Sequence, residues 1–533
     1  MKADDTPEAK IEPAPRVVEA EVVPAAEPVA VKPEVVAAQP APEPEQIAAA
    51  PQPATAPVPI KKVEPPVVRE SAPAALHAAE PPPVAAAPRR AKPEPVVAEA
   101  APAPAPIQVA AAPVEAAMLP ANNNNTSRGA SSGGLLPVEP GTTITDKNMD
   151  QYPDVLTPGL EWALRYGLRM KVIAPRRIEM FREYREATEK YSGQAKLSPD
   201  GRRVLNYTAG QPFPNIDSND PQAALKIMWN YDYRSQITDD LNAQNFDADT
   251  GSFAKNRGMT VERHYLIDYL RRLNYTGRLF VDPKPTLPNP EDVRFKESLH
   301  PLSEPFDLKG VGATFYRYND ADRQDDSWLY LPQLRRVRRL SSAQRSDALF
   351  GQDTDIDSYY GYNGHIGWAD WKLLGERTVM AVMHGRNVPV KWQEPEDWVF
   401  DDVWEPRQVY VIEANSKLPQ YAYGKRVLYL DKQSWLVTTS DIYDRAGQLW
   451  KVWINDHSFK KEAIPGAKVS HYADEMAFVH ALVMLDTQLV HATKAALPST
   501  HTPNEECIYL NLGDKSGTSE DFFTVANLIA SGH

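Results

Sequence analysis

The sequence predicts an α+β protein with one large antiparallel β-sheet, preceded by a long segment that cannot form a core. Three observations support this fold class. Short runs rich in β-branched and aromatic residues, separated by turn residues, follow one another after about residue 260. Amphipathic helix patterns precede them, and residues 1–151 contain no Phe, Trp or Tyr. Because tight connections join several of the runs, the sheet should be largely antiparallel.

Helix patterns stand at both ends of the folded part. A helix is expected to begin at Thr157, with leucines four residues apart on one face, and a second is expected from near Pro175 to Gly193. The segments 480–497 and 519–530 also predict helices near the end of the chain.

The strand candidates lie between these helices. In chain order they are 312–318, 327–331, 377–383, 407–414, 426–431, 435–444 and 449–454. The segment 265–280 fits both the helical and the strand period, and we expect a strand in its second half. The stretch NEECIYLNL is typical of a strand that carries a buried thiol, the single cysteine Cys507.

The N-terminal segment is rich in Pro, Ala, Val and Glu, and its first glycine is Gly129. A segment without aromatic residues cannot bury enough apolar surface to offset chain entropy, so disorder is expected. The expected organisation is a disordered spacer at 1–128, a flexible linker at 129–150 and one folded domain at 151–533. The start, MKADDTPEAK, lacks the positive charge and apolar run of a signal peptide, so we expect a soluble chain that is not exported by the usual route.

Four arginines fall within residues 335–339, a density that suggests nucleic acid binding. The charge is compensated, however, because residues 323–357 contain six arginines and six aspartates. The whole chain has a formal net charge of -13 and an isoelectric point near 5.4. A phosphate-binding surface needs net positive potential, so nucleic acid is not an expected partner. A salt-bridged surface patch is the simpler interpretation.

No catalytic or metal-binding motif can be assembled from the sequence, and no cofactor is expected. The aspartates Asp353, Asp355 and Asp357 resemble the start of a calcium loop, but Ser358 and Gly364 stand where that loop needs Gly and Glu. The spacing of the histidines does not fit a zinc-protease helix, and phosphate-cradling and nucleophile-elbow motifs are lacking. We therefore expect no enzyme and no bound metal.

Aromatic residues are concentrated in YYGYNGHIGWADW, which begins at Tyr359. Such a segment can line an apolar cavity or fill the core of the sheet, and the core is the simpler interpretation. The question that the segment raises is which of its rings face a ligand.

Several motifs resemble one known family. WLYLPQLRRVRRLSSAQRSDALFGQDTD and YGKRVLYLDKQSWLVTTSDIYDRAGQLWK resemble the LolA-like superfamily of outer-membrane lipoprotein-sorting proteins. TPGLEWALRYGL, EATEKYSGQAKLSPDGR, LNYTAGQPFP and DSYYGYNGHIGWADWKLLGER resemble its branch known as domain-of-unknown-function family 1329. The resemblance covers about residues 150–533 and several long motifs match in order.

The resemblance implies a LolA-like half-barrel, a strongly curved antiparallel sheet with covering helices that encloses an apolar cavity. The aromatic residues expected to line that cavity are Trp328, Tyr330, Tyr360, Tyr362, Trp368 and Trp371. A second group is expected either to contact an anionic head group or to form a structural salt-bridge cluster at the edge of the cavity: Arg335, Arg336, Arg338, Arg339, Arg345, Asp353, Asp355 and Asp357. The family usually carries a cleavable signal peptide, which this sequence lacks.

The resemblance also implies a function. We expect non-enzymatic binding or transport of a hydrophobic ligand in the periplasm, such as a lipid or the acyl chains of a lipoprotein. Members of the branch are often associated with resistance-nodulation-division exporters, so an exporter or another envelope protein is the expected partner. The alternative is an interaction scaffold of an envelope transporter that acts through its Pro-rich arm. A hydrolytic function would need a site that the sequence does not display.

Overall fold

The computed structural model describes residues 137–340, 345–459, 470–471, 475–501 and 507–532. It contains four α-helices in these residues: α1 (Pro158–Arg165), α2 (Arg182–Tyr191), α3 (Ala223–Asp232) and α4 (Val525–Ala530). Short 3-10 helices lie at Met149–Gln151, Pro153–Val155, Phe306–Leu308, Pro332–Leu334, Ile356–Gly361, Ile366–Trp368, Gly513–Ser516 and Glu520–Phe523. None of the described helices is long and apolar enough to cross a membrane.

Strands form most of the regular secondary structure in the described residues. They are β1 (Thr143–Ile144), β2 (Met170–Val172), β3 (Lys196–Leu197), β4 (Val204–Leu205), β5 (Asp240–Ala254), β6 (Gly258–Asn274), β7 (Val293–Leu299), β8 (Leu302–Glu304), β9 (Gly312–Tyr318), β10 (Asp326–Leu331), β11 (Arg336–Arg339), β12 (Ala369–Ala381), β13 (Val403–Ser416), β14 (Lys425–Asp431), β15 (Val437–Tyr443), β16 (Leu449–Phe459), β17 (Ser470–His471), β18 (Ala477–Asp486), β19 (His491–Ala496) and β20 (Ile508–Leu510).

Eighteen of these strands belong to one sheet, and β3 and β4 form a separate hairpin. The main part of the sheet runs in the order β12-β13-β14-β15-β16-β18-β19-β5-β6-β7-β9-β10-β11, with every neighbouring pair antiparallel. The short strands β1, β2, β8, β17 and β20 extend it, and the pairings β2–β13 and β17–β20 are parallel. This confirms the predicted α+β class with one large antiparallel sheet.

The two faces of the sheet pack against different parts of the chain. On β16, Trp453 belongs to a cluster that includes Tyr359 and Tyr360, whereas Val452 and Ile454 belong to a cluster that includes α1. Side chains alternate between faces along a strand, so these residues identify both faces. We call the face with Trp453 the inner face and the face with Val452 the outer face.

Helix α1 forms where the sequence predicted a helix. The Thr157 hydroxyl accepts a hydrogen bond from the backbone N–H of Leu160 at 3.1 Å, and Pro158 occupies the first turn, where no N–H is needed. Its buried Leu160 and Leu164 pack on the outer face. Full burial of a leucine side chain contributes about 1.5–3 kcal/mol.

Helix α2 begins later than predicted, at Arg182 rather than near Pro175. The preceding backbone is bound by the sheet, since the N–H of Arg176 donates to Glu405 and that of Ile178 donates to Gln433, both at 2.8 Å. These bonds hold the segment in a non-helical conformation.

The helix predicted at 480–497 is wrong, because this segment forms β18, a turn and β19. Every residue of β18 is buried, with Leu482 and Met484 on the inner face and Val483 and Leu485 on the outer face. A strand covered on both faces has a continuous apolar sequence, which periodicity cannot distinguish from a buried helix. The strand expected in the second half of 265–280 is also misplaced, because β6 covers 265–274 and residues 275–280 after it form no strand.

The predicted spacer, linker and C-terminal helix can be compared with the described residues as follows. The spacer at 1–128 lies outside the described residues. Within the expected linker at 129–150, residues 143–144 form β1 and pair with β2. The predicted helix at 519–530 corresponds to the 3-10 helix Glu520–Phe523 followed by α4.

Candidate functional site

A single segment, residues 345–368, lies against the inner face, and we call it the inner segment. Its Gly361 carbonyl accepts a hydrogen bond from Arg426 of β14 at 2.8 Å, and its Asn363 carbonyl accepts one from Arg317 of β9 at 3.0 Å. In the sheet order β14 and β9 are eight positions apart, about 38 Å in a flat sheet. Two arginine side chains reach carbonyls two residues apart, so the sheet must curve around the inner segment.

The inner segment is fixed by tyrosines as well as by arginines. The Tyr231 hydroxyl of α3 donates to the Tyr362 carbonyl at 2.6 Å, and the Tyr423 hydroxyl donates to Asp355 at 2.6 Å. Tyr360 has a left-handed backbone with φ of 60°. This is an unusual conformation for a residue with a side chain, and the surrounding hydrogen bonds maintain it.

The structure brings four of the six predicted aromatic residues together on or beside the inner segment. Tyr360, Tyr362 and Trp368 are buried, and Trp371 packs edge-on against Tyr362 with 5.1 Å between ring centroids. The other two lie on β10, away from this group. Trp328 packs against Tyr316, and the buried Tyr330 lies close to Gly532.

Among these six residues, Tyr360 lines an apolar cavity of about 20 Å³ on the inner face. Its other walls include Tyr359 of the inner segment and residues of β5, β6, β18 and β19: Phe246, Leu270, Phe478, Leu482 and Ala495. A cavity of this size has room for about one water molecule. Tyr362 and Trp368 line a separate gap of about 20 Å³ together with Asp357, Tyr421 and Arg426.

Arg345 is the centre of a buried ionic network. Its guanidinium donates to Asp357 at 2.8 Å and to Asp325 at 2.6 Å, and Arg317 also donates to Asp325 at 2.6 Å. Both guanidinium groups lie over the Trp368 ring, less than 5 Å from its centroid. Burial alone would raise the pKa of Asp325, but Arg317 and Arg345 outweigh this and lower it. The network therefore holds its charges at neutral pH.

The arginines at 335–339 do not join this network. Arg339 forms an ion pair with Asp326, whereas Arg335, Arg336 and Arg338 are exposed and form no ion pair with a described residue. They lie on or beside β11, which pairs with β10 at the end of the main strand order. Of the predicted arginines, Arg345 alone contacts one of the predicted aspartates.

Asp353, Asp355 and Asp357 bind three different partners, so their carboxylates do not converge on one cation position. Asp353 accepts hydrogen bonds from Thr493 at 2.9 Å and pairs with His491 at 2.8 Å on β19. Asp355 accepts from Tyr423, and burial raises its pKa. Asp357 binds Arg345. Each carboxylate thus fixes a different point of the inner segment.

Sequence reasoning missed another buried arginine beside the inner segment, Arg234, which follows α3 and is 7% exposed. Its guanidinium lies 4.4 Å from the Tyr231 ring centroid and 5.3 Å from that of Tyr360, and it donates to the Tyr231 carbonyl at 3.0 Å. No carboxylate of a described residue forms an ion pair with it. The Tyr360 hydroxyl and the Gln236 amide nitrogen are buried without a hydrogen-bond partner among the described residues.

Within the described part of the chain, Arg234 therefore offers a positive charge without a carboxylate partner beside Tyr360, one of the tyrosines that line the apolar cavity. A buried guanidinium without a carboxylate is costly, and an anionic group of a ligand would compensate it. The sequence signal was weak, because Arg234 stands alone between Tyr233 and Ser235 and not in a charged run.

A larger cavity of about 160 Å³ lies beside α3 and has polar and aromatic walls, among them Trp229, Tyr233, Arg294 and His365. Arg294 binds Asp232 at 3.1 Å, while its Nη1 is buried without a partner among the described residues. Burial lowers the pKa of His365 to about 4, so its imidazole is neutral at physiological pH.

The lone thiol, Cys507, is buried in the core of the inner face, and burial raises its pKa. A protonated thiol is a poor nucleophile. The arrangement on the inner face, with aromatic rings, a small apolar cavity and an arginine that forms no ion pair with a described residue, is suited to binding.

A family model described as "Protein of unknown function (DUF1329)" matches residues 143–528. An uncharacterised protein of Pseudomonas aeruginosa is 27% identical over 344 residues, which cover 61% of this chain and 71% of the relative.

Two solved structures are similar to this chain. An outer membrane lipoprotein-sorting protein domain from Vibrio parahaemolyticus shares 19% identity with a TM-score of 0.38, over 57% of this chain and 98% of that one. A LolA superfamily protein from Nitrosomonas europaea shares 15% identity with a TM-score of 0.33, over 56% of this chain and 98% of that one.

Proposed function

Because the chain belongs to the DUF1329 family, we propose that it binds a hydrophobic molecule, such as a lipid or the acyl chains of a lipoprotein, on the inner face of its curved sheet. The observation that carries the proposal is the apolar cavity lined by Tyr359 and Tyr360 on one side and by strand residues such as Leu482 on the other. Burial of apolar surface there would supply about 25 cal/mol per Å².

The ligand must displace part of the inner segment. An acyl chain does not fit into about 20 Å³. Tyr359 and Tyr360 are cavity walls that belong to no strand. Hydrogen bonds to the Asp355 side chain before them and to the Tyr362 carbonyl after them hold the chain on both sides. Rotation of these two side chains would lengthen the cavity without breaking a strand pairing.

Arg234 would orient the ligand. Its guanidinium lies beside Tyr360 and lacks a carboxylate partner among the described residues. The Tyr360 hydroxyl and the Gln236 amide are further donors without a partner in the described part of the chain. An amphiphile with an anionic head group, such as a carboxylate or a phosphate, would satisfy these groups while its apolar chain follows the cavity.

The proposal describes a carrier that binds without catalysis. On the family resemblance alone, it extends to the periplasm as the location and to a resistance-nodulation-division exporter or another envelope protein as the partner.

The test is native mass spectrometry, with solvent extraction, of the full chain purified from a bacterial envelope without detergent. Ala495 and Ala492 lie on the inner and outer faces of β19 and are both buried. Ala495→Leu should fill the cavity and abolish the co-purifying apolar mass, whereas Ala492→Leu should keep it. Both variants overpack a core at a cost of about 1–3 kcal/mol, which makes them a matched pair.

Two results would contradict the proposal. One is wild-type protein that is empty in repeated preparations and ignores offered fatty acids and lipopeptides. The other is an equal loss of ligand in Ala495→Leu and Ala492→Leu, since the cavity would then not be the binding site.

A further inference from the structure

Two histidines and two aspartates meet on the outer face of the sheet, at the part where β5 pairs with β6. Asp247 and Asp249 lie on β5, and His264 lies on β6 directly opposite Asp249. His501 follows β19 in the chain. The two imidazole rings pack edge to face with 4.7 Å between their centroids.

The alternation of side chains places this group away from the inner segment. Thr250 of β5 contacts Asp353 on the inner face. The neighbouring Asp249, and Asp247 two residues before it, therefore point to the outer face. The group is separate from the cavity that carries the proposed function, and nothing in the following argument depends on that function.

The donor atoms are spaced as metal ligands are. The Nδ1 atom of His501 lies 2.9 Å from one carboxylate oxygen of Asp247, and the Nδ1 atom of His264 lies 3.7 Å from the other. One donor atom from each of the three residues falls within 4.8 Å of the other two. Ligands of a tetrahedral Zn²⁺ ion at about 2.0–2.2 Å lie about 3.3 Å apart, which is within the range of these separations.

We propose that Asp247, His264 and His501 bind a divalent transition-metal ion, with zinc as the best fit. Two imidazoles and one carboxylate are ligands that suit Zn²⁺ and are poor for Mg²⁺ or Ca²⁺, which prefer oxygen. Asp249, 2.8 Å from the His264 Nδ1 atom, is placed to complete a tetrahedral set. The three ligands come from three separate parts of the chain, which is why their sequence spacing shows no motif.

The outer shell of the site is already built. The Asp247 carboxylate accepts hydrogen bonds from the hydroxyl of Ser499 at 2.9 Å and from the backbone N–H of Thr500 at 3.1 Å. These donors orient a buried carboxylate that is 3% exposed. Glu304 lies 3.9 Å from the His264 Nε2 atom, beyond hydrogen-bond distance, and would have to move closer to orient the ring as a metal ligand.

The charges also favour a cation. Asp247, Asp249 and Glu304 bring three carboxylates to the histidines, and Lys494, 3.6 Å from Asp249, is the lysine that contacts them. A divalent ion would compensate two of these negative charges. It would also tie residues 499–501, which follow β19, to the β5–β6 pair, so bound metal should stabilise the fold.

The experiment titrates the metal-free full chain with Zn²⁺ by isothermal calorimetry at pH 7.5, and with Co²⁺ while the visible spectrum is recorded. We expect one equivalent of each ion, a tetrahedral Co²⁺ spectrum and a rise in melting temperature with Zn²⁺. His264→Ala and His501→Ala should weaken Zn²⁺ binding by at least ~10-fold, since even a lost outer-shell partner costs about 10–100-fold.

His491→Ala is the matched control, because His491 also pairs with a carboxylate, Asp353 at 2.8 Å, but lies outside the group. It should leave the affinity for Zn²⁺ unchanged. His501 is the decisive variant if His264→Ala unfolds, since its side chain is 63% exposed. The inference is overturned if the chain takes up no Zn²⁺, if uptake survives His501→Ala unchanged, or if His491→Ala weakens it equally. Any of these results would identify the group as ion pairs without a metal.

Discussion

The two faces of the sheet are held in place by different interactions. On the outer face α1 and the segment that contains Trp398 and Phe400 form one continuous apolar cluster with the strands. On the inner face the inner segment is held by charged hydrogen bonds, such as those of Arg345 and Arg426, with apolar contacts between them.

The outer face therefore contributes mainly to stability, whereas the ion pairs on the inner face mainly determine the position of the inner segment. Apolar contacts are strong and non-directional, so the outer face contributes stability without fixing one arrangement of its side chains. Buried ion pairs add little net stability, because desolvation offsets the attraction, but breaking one is costly. The inner segment is thus placed accurately at a modest gain in stability. We infer that accurate placement serves the cavity that Tyr359 and Tyr360 close.

The largest effect is expected for Arg345→Met, which removes the centre of the ionic network on the inner face. The substitution should lower the free energy of unfolding by about 3–5 kcal/mol, because buried Asp357 and Asp325 lose a shared guanidinium. The measurement is urea denaturation of the full chain. Arg338→Met, at an exposed position in the predicted arginine cluster, is the control and should change stability by less than about 0.5 kcal/mol. Equal effects of the two substitutions would refute the proposed positioning role of the network.

The sequence predicts the sheet better than the helices, for a physical reason. Strands such as β9 and β14 are short and end at turn residues, and both coincide with predicted runs. Segment 480–497 is apolar throughout, because neighbours cover both faces of β18, and this removes the period that distinguishes strand from helix. The late start of α2 depends on Glu405 and Gln433, more than 200 residues away, and no local pattern contains them.

The site is predictable where neighbours in sequence are neighbours in space. Tyr360, Tyr362 and Trp368 fall in one short stretch, and the structure keeps them together around the inner segment. Arg345 and Asp357 are 12 residues apart and do meet. Arg234 follows α3 and is far from Tyr360 in the sequence, so no local sequence pattern links the two residues.

The second prediction concerns pH and the outer face, where Asp441 is a buried exception among apolar residues. It lies against Gly159 of α1 and accepts a hydrogen bond from the Tyr429 hydroxyl at 3.1 Å. Burial raises its pKa from 3.8 to about 7. A carboxyl whose pKa is raised by folding binds its proton more tightly in the native state, so its stabilising contribution is complete below about pH 4 and is lost as the pH rises through 7.

The loss over this range is at most about 4 kcal/mol, at about 1.4 kcal/mol per pH unit. Asp441→Asn is neutral at every pH, so the wild type should lose stability relative to this variant between pH 4 and pH 8. Denaturation at several pH values measures the difference. Asp521→Asn, at an exposed position, is the control, and its stability should change with pH in the same way as that of the wild type. Parallel curves for Asp441→Asn and the wild type would mean that Asp441 is ionised in the fold.

The smallest expected effect separates two tyrosines on the inner face. The Tyr231 hydroxyl donates to the Tyr362 carbonyl at 2.6 Å, so Tyr231→Phe should cost about 1 kcal/mol of stability. The Tyr360 hydroxyl is buried with no partner among the described residues, so Tyr360→Phe should be neutral or slightly stabilising. Thermal unfolding of both variants measures this difference. Because the Arg234 guanidinium lies over the Tyr360 ring and the Tyr360 hydroxyl has no hydrogen-bond partner among the described residues, we expect Tyr360→Phe to weaken the binding of an anionic amphiphile and Tyr231→Phe to leave it unchanged. The opposite result would be that Tyr360→Phe lowers stability more than Tyr231→Phe and leaves amphiphile binding unchanged. The Tyr360 hydroxyl would then stabilise the fold and would not contact the ligand.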